Sequence, residues 1–174
     1  LDIENWEVTD LLTIFAATAN MPTGSGVLNG NMSISGSTEA AMQIIGNLSV
    51  QNIKLQGGPL KSDTPSLGRM EVEVDAEKTA SAFTLKRHAF TSTVAVGTAN
   101  GVFGAQNKRE ITGQVVIELA QVFSQFPGTL KLKPGIKVSS GELNLKGKIA
   151  TTEETTFFDG SVQLDRLQGV AGKT

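Results

Sequence analysis

The sequence predicts a mainly β chain, an antiparallel sheet carrying two short helices, and three observations predict it. Apolar and polar residues alternate with period two over most of the 174 residues. Clusters of turn-forming residues interrupt the alternation. The composition is poor in charge, at 18%, and rich in glycine, with 19 residues, while Ser, Thr, Asn and Gln supply the remaining polarity. That balance suits strands with one wet face better than a helical bundle.

The alternation is clearest from Gly26. Leu28, Gly30, Met32 and Ile34 face one way, and Asn29, Asn31, Ser33 and Ser35 face the other. It returns at Leu143, Leu145, Gly147 and Ile149, set against Asn144, Lys146 and Lys148. Leu48 and Val50 are followed by Ile53 and Leu55, so the phase slips by one at Asn52, as a β-bulge requires. Further strands are expected at Met70/Val72/Val74, Phe83/Leu85, Phe90/Ser92/Val94/Val96, Val115/Ile117 and Val162/Leu164. Each has one apolar face, which argues for half-buried antiparallel strands over the doubly buried strands of a parallel sheet. Turns are expected at Gly57-Gly58-Pro59, at Ser62–Ser66 around Pro65, at Asn100-Gly101 and at Lys133-Pro134-Gly135.

Two segments leave the period. Thr9 to Ala19 carries Leu11, Leu12, Ile14, Phe15 and Ala19 near helical spacing, with Thr9 or Asp10 as an N-cap. Glu118 to Phe126 carries Leu119, Val122, Phe123 and Phe126 on one helical face, and Pro127 stops it. Helices of two or three turns are marginal in water, so each is expected to rest on the sheet or plug its end.

The two segments resemble each other. Asp10-Leu11-x-x-Ile14-Phe15 matches Glu118-Leu119-x-x-Val122-Phe123, and a proline follows each, Pro22 and Pro127. Ser25-Gly26-Val27-Leu28-Asn29 then matches Ser140-Gly141-Glu142-Leu143-Asn144. Gly46-x-Leu48-x-Val50-x-x-Ile53 matches Gly160-x-Val162-x-Leu164-x-x-Leu167. The ordered series predicts an internal repeat of about 110 residues, present about one and a half times. The first unit is expected over 1–110, with its helix at 9–19, and a second, incomplete unit over 111–174, with its helix at 118–126. The opening Leu1-Asp2-Ile3 has neither methionine nor signal-peptide pattern, so the chain is expected to be a piece cut from a longer protein or a mature segment.

Several chemistries lose ground on composition. A net charge of −2, with Lys86-Arg87-His88 as the longest basic run, gives no nucleic-acid footprint. There is no cysteine for a disulfide or a thiolate site. No apolar run approaches the roughly 20 residues that span a bilayer as a helix, and one Trp with no Tyr does not make the aromatic girdles of an outer-membrane barrel. His88 is the only histidine and is expected in a solvated turn beside Lys86 and Arg87. Glu71, Glu73 and Asp75 share one strand face, expected to be a solvent-facing acidic row. That row could otherwise serve a hydrolase, or calcium together with Asp63, although no calcium-loop motif is present. Gly24-Ser25-Gly26 makes no phosphate loop. Asn31-Met32-Ser33 and Asn47-Leu48-Ser49 fit the glycosylation triplet inside expected strands, where chance explains them.

Phe83-Thr84-Leu85-Lys86-Arg87, then Phe90-Thr91-Ser92, lead to Gly101-Val102-Phe103-Gly104. With Ile117-Glu118-Leu119-Ala120 before Phe126-Pro127, and Lys146-Gly147-Lys148-Ile149 after it, this succession resembles the AsmA/TamB-like family of bacterial envelope proteins over most of the chain. The resemblance implies a sheet curled into a groove or half-barrel with an apolar concave face. It implies a periplasmic location, in a protein anchored to the inner membrane of a Gram-negative bacterium by a helix outside this segment. It also implies phospholipid or another acyl lipid as partner, a role in lipid transfer and outer-membrane homeostasis, and neither catalytic residues nor a cofactor.

The lining of such a groove is expected at Leu28, Met32, Ile34, Leu48, Val50, Val72, Val74, Phe83, Leu85, Val94, Leu143, Leu145, Val162 and Leu164. Shielding is worth having, because an acyl chain exposed to water costs roughly 0.8 kcal/mol per CH₂. The same positions fit a closed, dry core covered by the helices, in which case the chain is a structural or adhesive β-repeat module without lipid.

Overall fold

A computed structural model describes residues 1–9, 22–37, 41–104, 108–152 and 155–172. Nine strands account for most of them: β1 (Asp2–Glu7), β2 (Thr23–Gly36), β3 (Ala41–Gln56), β4 (Ser66–Thr79), β5 (Ala82–Ser92), β6 (Ala95–Gly104), β7 (Arg109–Glu118), β8 (Ile136–Thr151) and β9 (Thr156–Ala171). A 3-10 turn occupies Gly58–Leu60, and an α-helix, α1, spans Leu119–Gln125. The helix expected over 9–19 lies, apart from Thr9, outside the described residues.

All nine strands form one antiparallel sheet in chain order, with β1 and β9 at its edges, so the sheet is not closed into a barrel. The period-two pattern explains why. Most strands have a more apolar face, and sequential hairpins keep those faces on the same side, although Ile45, Val96, Val102 and Phe157 stand on the other side. The sheet runs through residues 110 and 111 without a break, inside β7.

Register carries the pattern across the sheet as rows. Gly30, Leu48, Val72, Phe90, Gly97, Val115, Leu145 and Val162 face one another in turn from β2 to β9. On the opposite face, Asn31, Asn47, Glu73, Ala89, Thr98, Gln114, Lys146 and Ser161 do the same. The phase slip expected at Asn52 is present: the β3–β4 register shifts between Gln51 and Ile53, and Asn52 is left-handed with φ 55°.

Burial is sparse. Among the described residues, Leu28, Ile53 and Ala76 are the buried hydrophobic ones, and Pro65 is the largest side chain sealed completely. Leu28, Ile53 and Pro65 lie toward the end of the sheet where α1 and the connections around it gather, whereas Ala76 is sealed farther along β4, between Ile44 and Leu85. Leu119 at the start of α1 comes against Gly141 of β8. Gln125 Oε1 accepts a hydrogen bond from the Ser66 amide at 2.9 Å. Asp63, in the β3–β4 loop, accepts the amides of Gly128 at 2.9 Å and Thr129 at 2.6 Å. The loop before β4 is thereby tied to the segment after α1, across three strand spacings or about 14 Å of sheet.

The expected elements need four corrections. Lys86-Arg87 is not a turn but a bulge within β5, where the register to β4 shifts between Asp75 and Ala76. Asn100-Gly101 is not a turn either, and pairs in mid-strand with Thr112 and Ile111. Phe90 to Val96 is not one strand, because Ser92 Oγ receives the Ala95 amide at 3.1 Å and turns the chain from β5 into β6. β1 was not among the expected strands. The second helix stands close to where it was expected, at Leu119–Gln125 within 118–126.

Candidate functional site: an apolar sheet face

Four adjacent rows compose the apolar face. Trp6, Leu28, Val50 and Met70 lie in the first, which resumes at Ala95, Ile117, Leu143 and Leu164. The second is the Leu48–Val72–Phe90 row described above. The third runs Met32, Gly46, Val74, His88, Ala99, Gly113, Gly147, Gly160, and the fourth Ile34, Ile44, Ala76, Leu85, Gly101, Ile111, Ile149, Phe158. At about 4.8 Å per strand and about 6.7 Å per row, the band measures about 38 Å by about 20 Å, on the order of 700 Å². The largest apolar patch on an ordinary monomer is roughly 300–600 Å².

Much of this band is in contact with solvent. Ile34 is 61% exposed, Phe158 and Val162 74% each, and Leu164 52%. Among the described residues, α1 packs chiefly on β8 and less on β7, with a hydrogen bond to Ser66 of β4.

The third row gives the face its relief. From β6 to β9 it contains only Ala99, Gly113, Gly147 and Gly160, and His88 of β5 stands at its head. The rows on either side carry Val115, Leu145 and Val162, and Ile111, Ile149 and Phe158. Small residues between larger ones leave a furrow that crosses the strands. Its cleft measures about 470 Å³ and is lined by His88, Phe90, Ala99, Ile111, Val115, Leu145, Ile149, Phe158 and Val162, with Thr98, Gln114, Lys146 and Ser161 at its margin and the three glycines as floor. That volume falls within the range of roughly 300–1,000 Å³ seen for ligand pockets. The Phe158 ring leans onto the floor, so that a Cβ on Gly160 would stand 3.0 Å from its Cζ.

The expected lining residues separate clearly. Leu28, Met32, Ile34, Leu48, Val50, Val72, Val74, Phe83, Leu85, Leu143, Leu145, Val162 and Leu164 all point to the apolar face. Val94 does not belong to a strand: it sits in the β5–β6 turn, where its carbonyl receives the Glu118 amide at 2.9 Å. Residues absent from the expectation include Ile44, Phe90, Ile111, Val115, Ile149 and Phe158, and His88. The histidine is no turn residue; it is half-buried in β5 between Val74 and Ala99. Phe83 adds a ring contact with Phe103, centroids 5.9 Å apart, beyond the fourth row.

The polar face has a cleft of its own over β6 to β9, about 580 Å³ and lined by Thr98, Asn100, Thr112, Gln114, Lys146, Lys148, Asp159 and Ser161, and charged groups on this face pair across the strands. Glu73 pairs with Arg87 at 3.0 Å, Glu77 with Lys86 at 2.6 Å, Glu71 with Arg69, and Glu110 with Lys148 at 2.8 Å. Exposed pairs of this kind contribute about 0–1 kcal/mol each. The hydrogen bond from Lys86 to Glu77 holds the ammonium above its ordinary pKa. Among the described residues, no three acidic or histidine side chains converge as a metal site. Asp63, weighed for calcium with the β4 acids, is committed to the α1 end instead. Burial opposes its ionisation, but the hydrogen bonds from Thr129 and Gly128, with Lys61 nearby, outweigh that and lower its pKa.

No helix among the described residues is long and apolar enough to cross a membrane. No known family model, curated protein or solved structure matches this chain.

Proposed function

We propose that the chain shields acyl lipid on its apolar face, acting by surface and not by bond chemistry. One observation carries the reading: apolar rows cross the sheet in register, with their central side chains half-buried and Trp6, Ile34, Phe158, Val162 and Leu164 at their ends exposed. Covering on the order of 700 Å² of apolar surface is worth roughly 15–20 kcal/mol at about 25 cal/mol per Å². An acyl chain gains from the same contact at about 0.8 kcal/mol per CH₂. The furrow gives the chain a direction, because its floor of small residues runs across β6 to β9 between two walls of branched and aromatic groups.

In this reading the protein belongs to a bacterial envelope, where lipid must pass through water between two membranes. The AsmA/TamB-like resemblance agrees with that setting, and the open apolar face is what favours it over a closed structural module. The test is photo-crosslinking. A benzophenone amino acid at Val115 or Leu145 should capture phospholipid from the expression host, and one at Thr112 or Asn144, on the polar face, should not. Lipid extraction with mass spectrometry reads both. Equal capture from the two faces, or none from either, would overturn the proposal.

A further inference from the structure

The β2–β3 and β8–β9 hairpins are built alike. Leu28 faces Val50 as Leu143 faces Leu164, Gly30 faces Leu48 as Leu145 faces Val162, and Met32 faces Gly46 as Gly147 faces Gly160. The β8–β9 register shifts between Val138 and Ser140, and both registers shift at a matching place, between Ser25 and Val27 and between Ser140 and Glu142. Opposite each shift stands a left-handed residue, Asn52 with φ 55° and Arg166 with φ 50°. Each shift also places a glycine under an apolar side chain. A Cβ on Gly26 would lie 3.4 Å from Val8 Cγ2, and one on Gly141 3.3 Å from Leu119 Cδ1.

The hairpins differ on their far side. The second edge of β3 is filled by β4, whereas the second edge of β9 pairs with no described residue. β9 is 16 residues long. It contains neither lysine nor proline, and of the devices that guard an open edge it carries Asp159, Asp165, Arg166 and the bulge at Arg166, so a strand that pairs with it must match those charges.

We propose that the outer edge of β9 receives an extended polypeptide strand of the β4 type, antiparallel and in the register that β4 adopts on β3. Transferring that register places Val72 opposite Val162, Met70 opposite Leu164, and Val74 opposite Gly160, apolar upon apolar. On the polar face it places Arg69 opposite Asp165, an attractive pair. It also places Asp75 opposite Asp159, a repulsive one. The strand that fits β9 therefore keeps a cation facing Asp165 and carries a second cation where β4 has Asp75.

The experiment uses the whole chain and labelled 14-residue peptides with the β4 sequence Ser66–Thr79, read by fluorescence anisotropy. A peptide with Asp75→Lys should bind at least about threefold tighter than the β4 sequence, and one with Arg69→Glu at least about threefold weaker, from the usual worth of facing charges. Adjacent residues of an antiparallel strand turn their N–H groups to opposite sides. Of Ser161→Pro and Val162→Pro in the protein, one should thus abolish peptide binding, and the other should instead lower the melting temperature. Absence of binding by every peptide at millimolar concentration, or binding indifferent to both charge changes, overturns the proposal. So does a β9-dependent dimer of the chain that takes up no peptide, which would assign the edge to a second copy.

Discussion

Phe90 lies across Gly97. The two face each other between β5 and β6, and a Cβ on Gly97 would stand 2.9 Å from Phe90 Cζ. The ring thus covers bare backbone and takes the place of the missing side chain, at the end of the furrow next to His88. Gly97→Ala should force the ring to move and destabilise the sheet by about 1–3 kcal/mol, measured by urea unfolding. Phe90→Leu in the same chain should recover part of that loss. Additive losses in the double variant would show that the two residues do not share this contact.

Burial along one face separates two side chains of similar size. Leu28 is 8% exposed and Ile34 61%, although both belong to β2 and point the same way. Leu28→Ala is expected to cost about 2–4 kcal/mol, and Ile34→Ala less than about 1 kcal/mol. Equal losses in denaturant unfolding would mean that the face around Ile34 is covered in solution.

Filling the furrow should displace lipid without unfolding the sheet. At Gly147 an added Cβ meets chiefly the Phe158 ring, at 3.2 Å, and that exposed ring is free to swing away. Gly147→Leu is expected to lower co-purified lipid severalfold while preserving the melting temperature. Unchanged lipid in the extract would remove the furrow from the proposed function.

Acid should loosen the α1 end first. The Asp63 pKa lies below its ordinary 3.8 in the folded chain, so the stability it contributes is complete above that value. It is lost as the pH falls through the lower, folded value. In thermal melts the wild type should be more stable than Asp63→Asn near neutral pH, and the gap should narrow below about pH 4. A gap independent of pH would mean that the carboxylate charge is not what the Gly128 and Thr129 amides hold.

The strands with large side chains were legible in the sequence. β2 and β8 announce themselves through Leu28, Met32, Ile34, Leu143 and Leu145, and the bulge at Asn52 is visible because apolar residues on both sides fix the phase. β6 is illegible for the opposite reason. Its apolar-face positions Ala95, Gly97, Ala99 and Gly101 are small, and Asn100-Gly101 imitates a turn. β1 is short, and its left-handed Asn5 (φ 54°) breaks the spacing between Ile3 and Trp6.

The same physics governs the site. Residues that make walls carry a hydrophobic signal, and residues that make the furrow floor carry none. Ala99, Gly113, Gly147 and Gly160 become a feature only when register sets them side by side. His88 was misplaced because Lys86 and Arg87 read as solvent, whereas the bulge they form returns the chain to the apolar face.

Strand order has a mechanical consequence. Since each strand is hydrogen-bonded only to its neighbours in the chain, a pull applied to the edge strands would peel the sheet one hairpin at a time, with no block of strands that must shear together. The contacts of Asp63 with Gly128 and Thr129 interrupt that sequence. They latch the β3–β4 loop to the far side of β6, so peeling from either edge should stall with β4 to β7 still assembled.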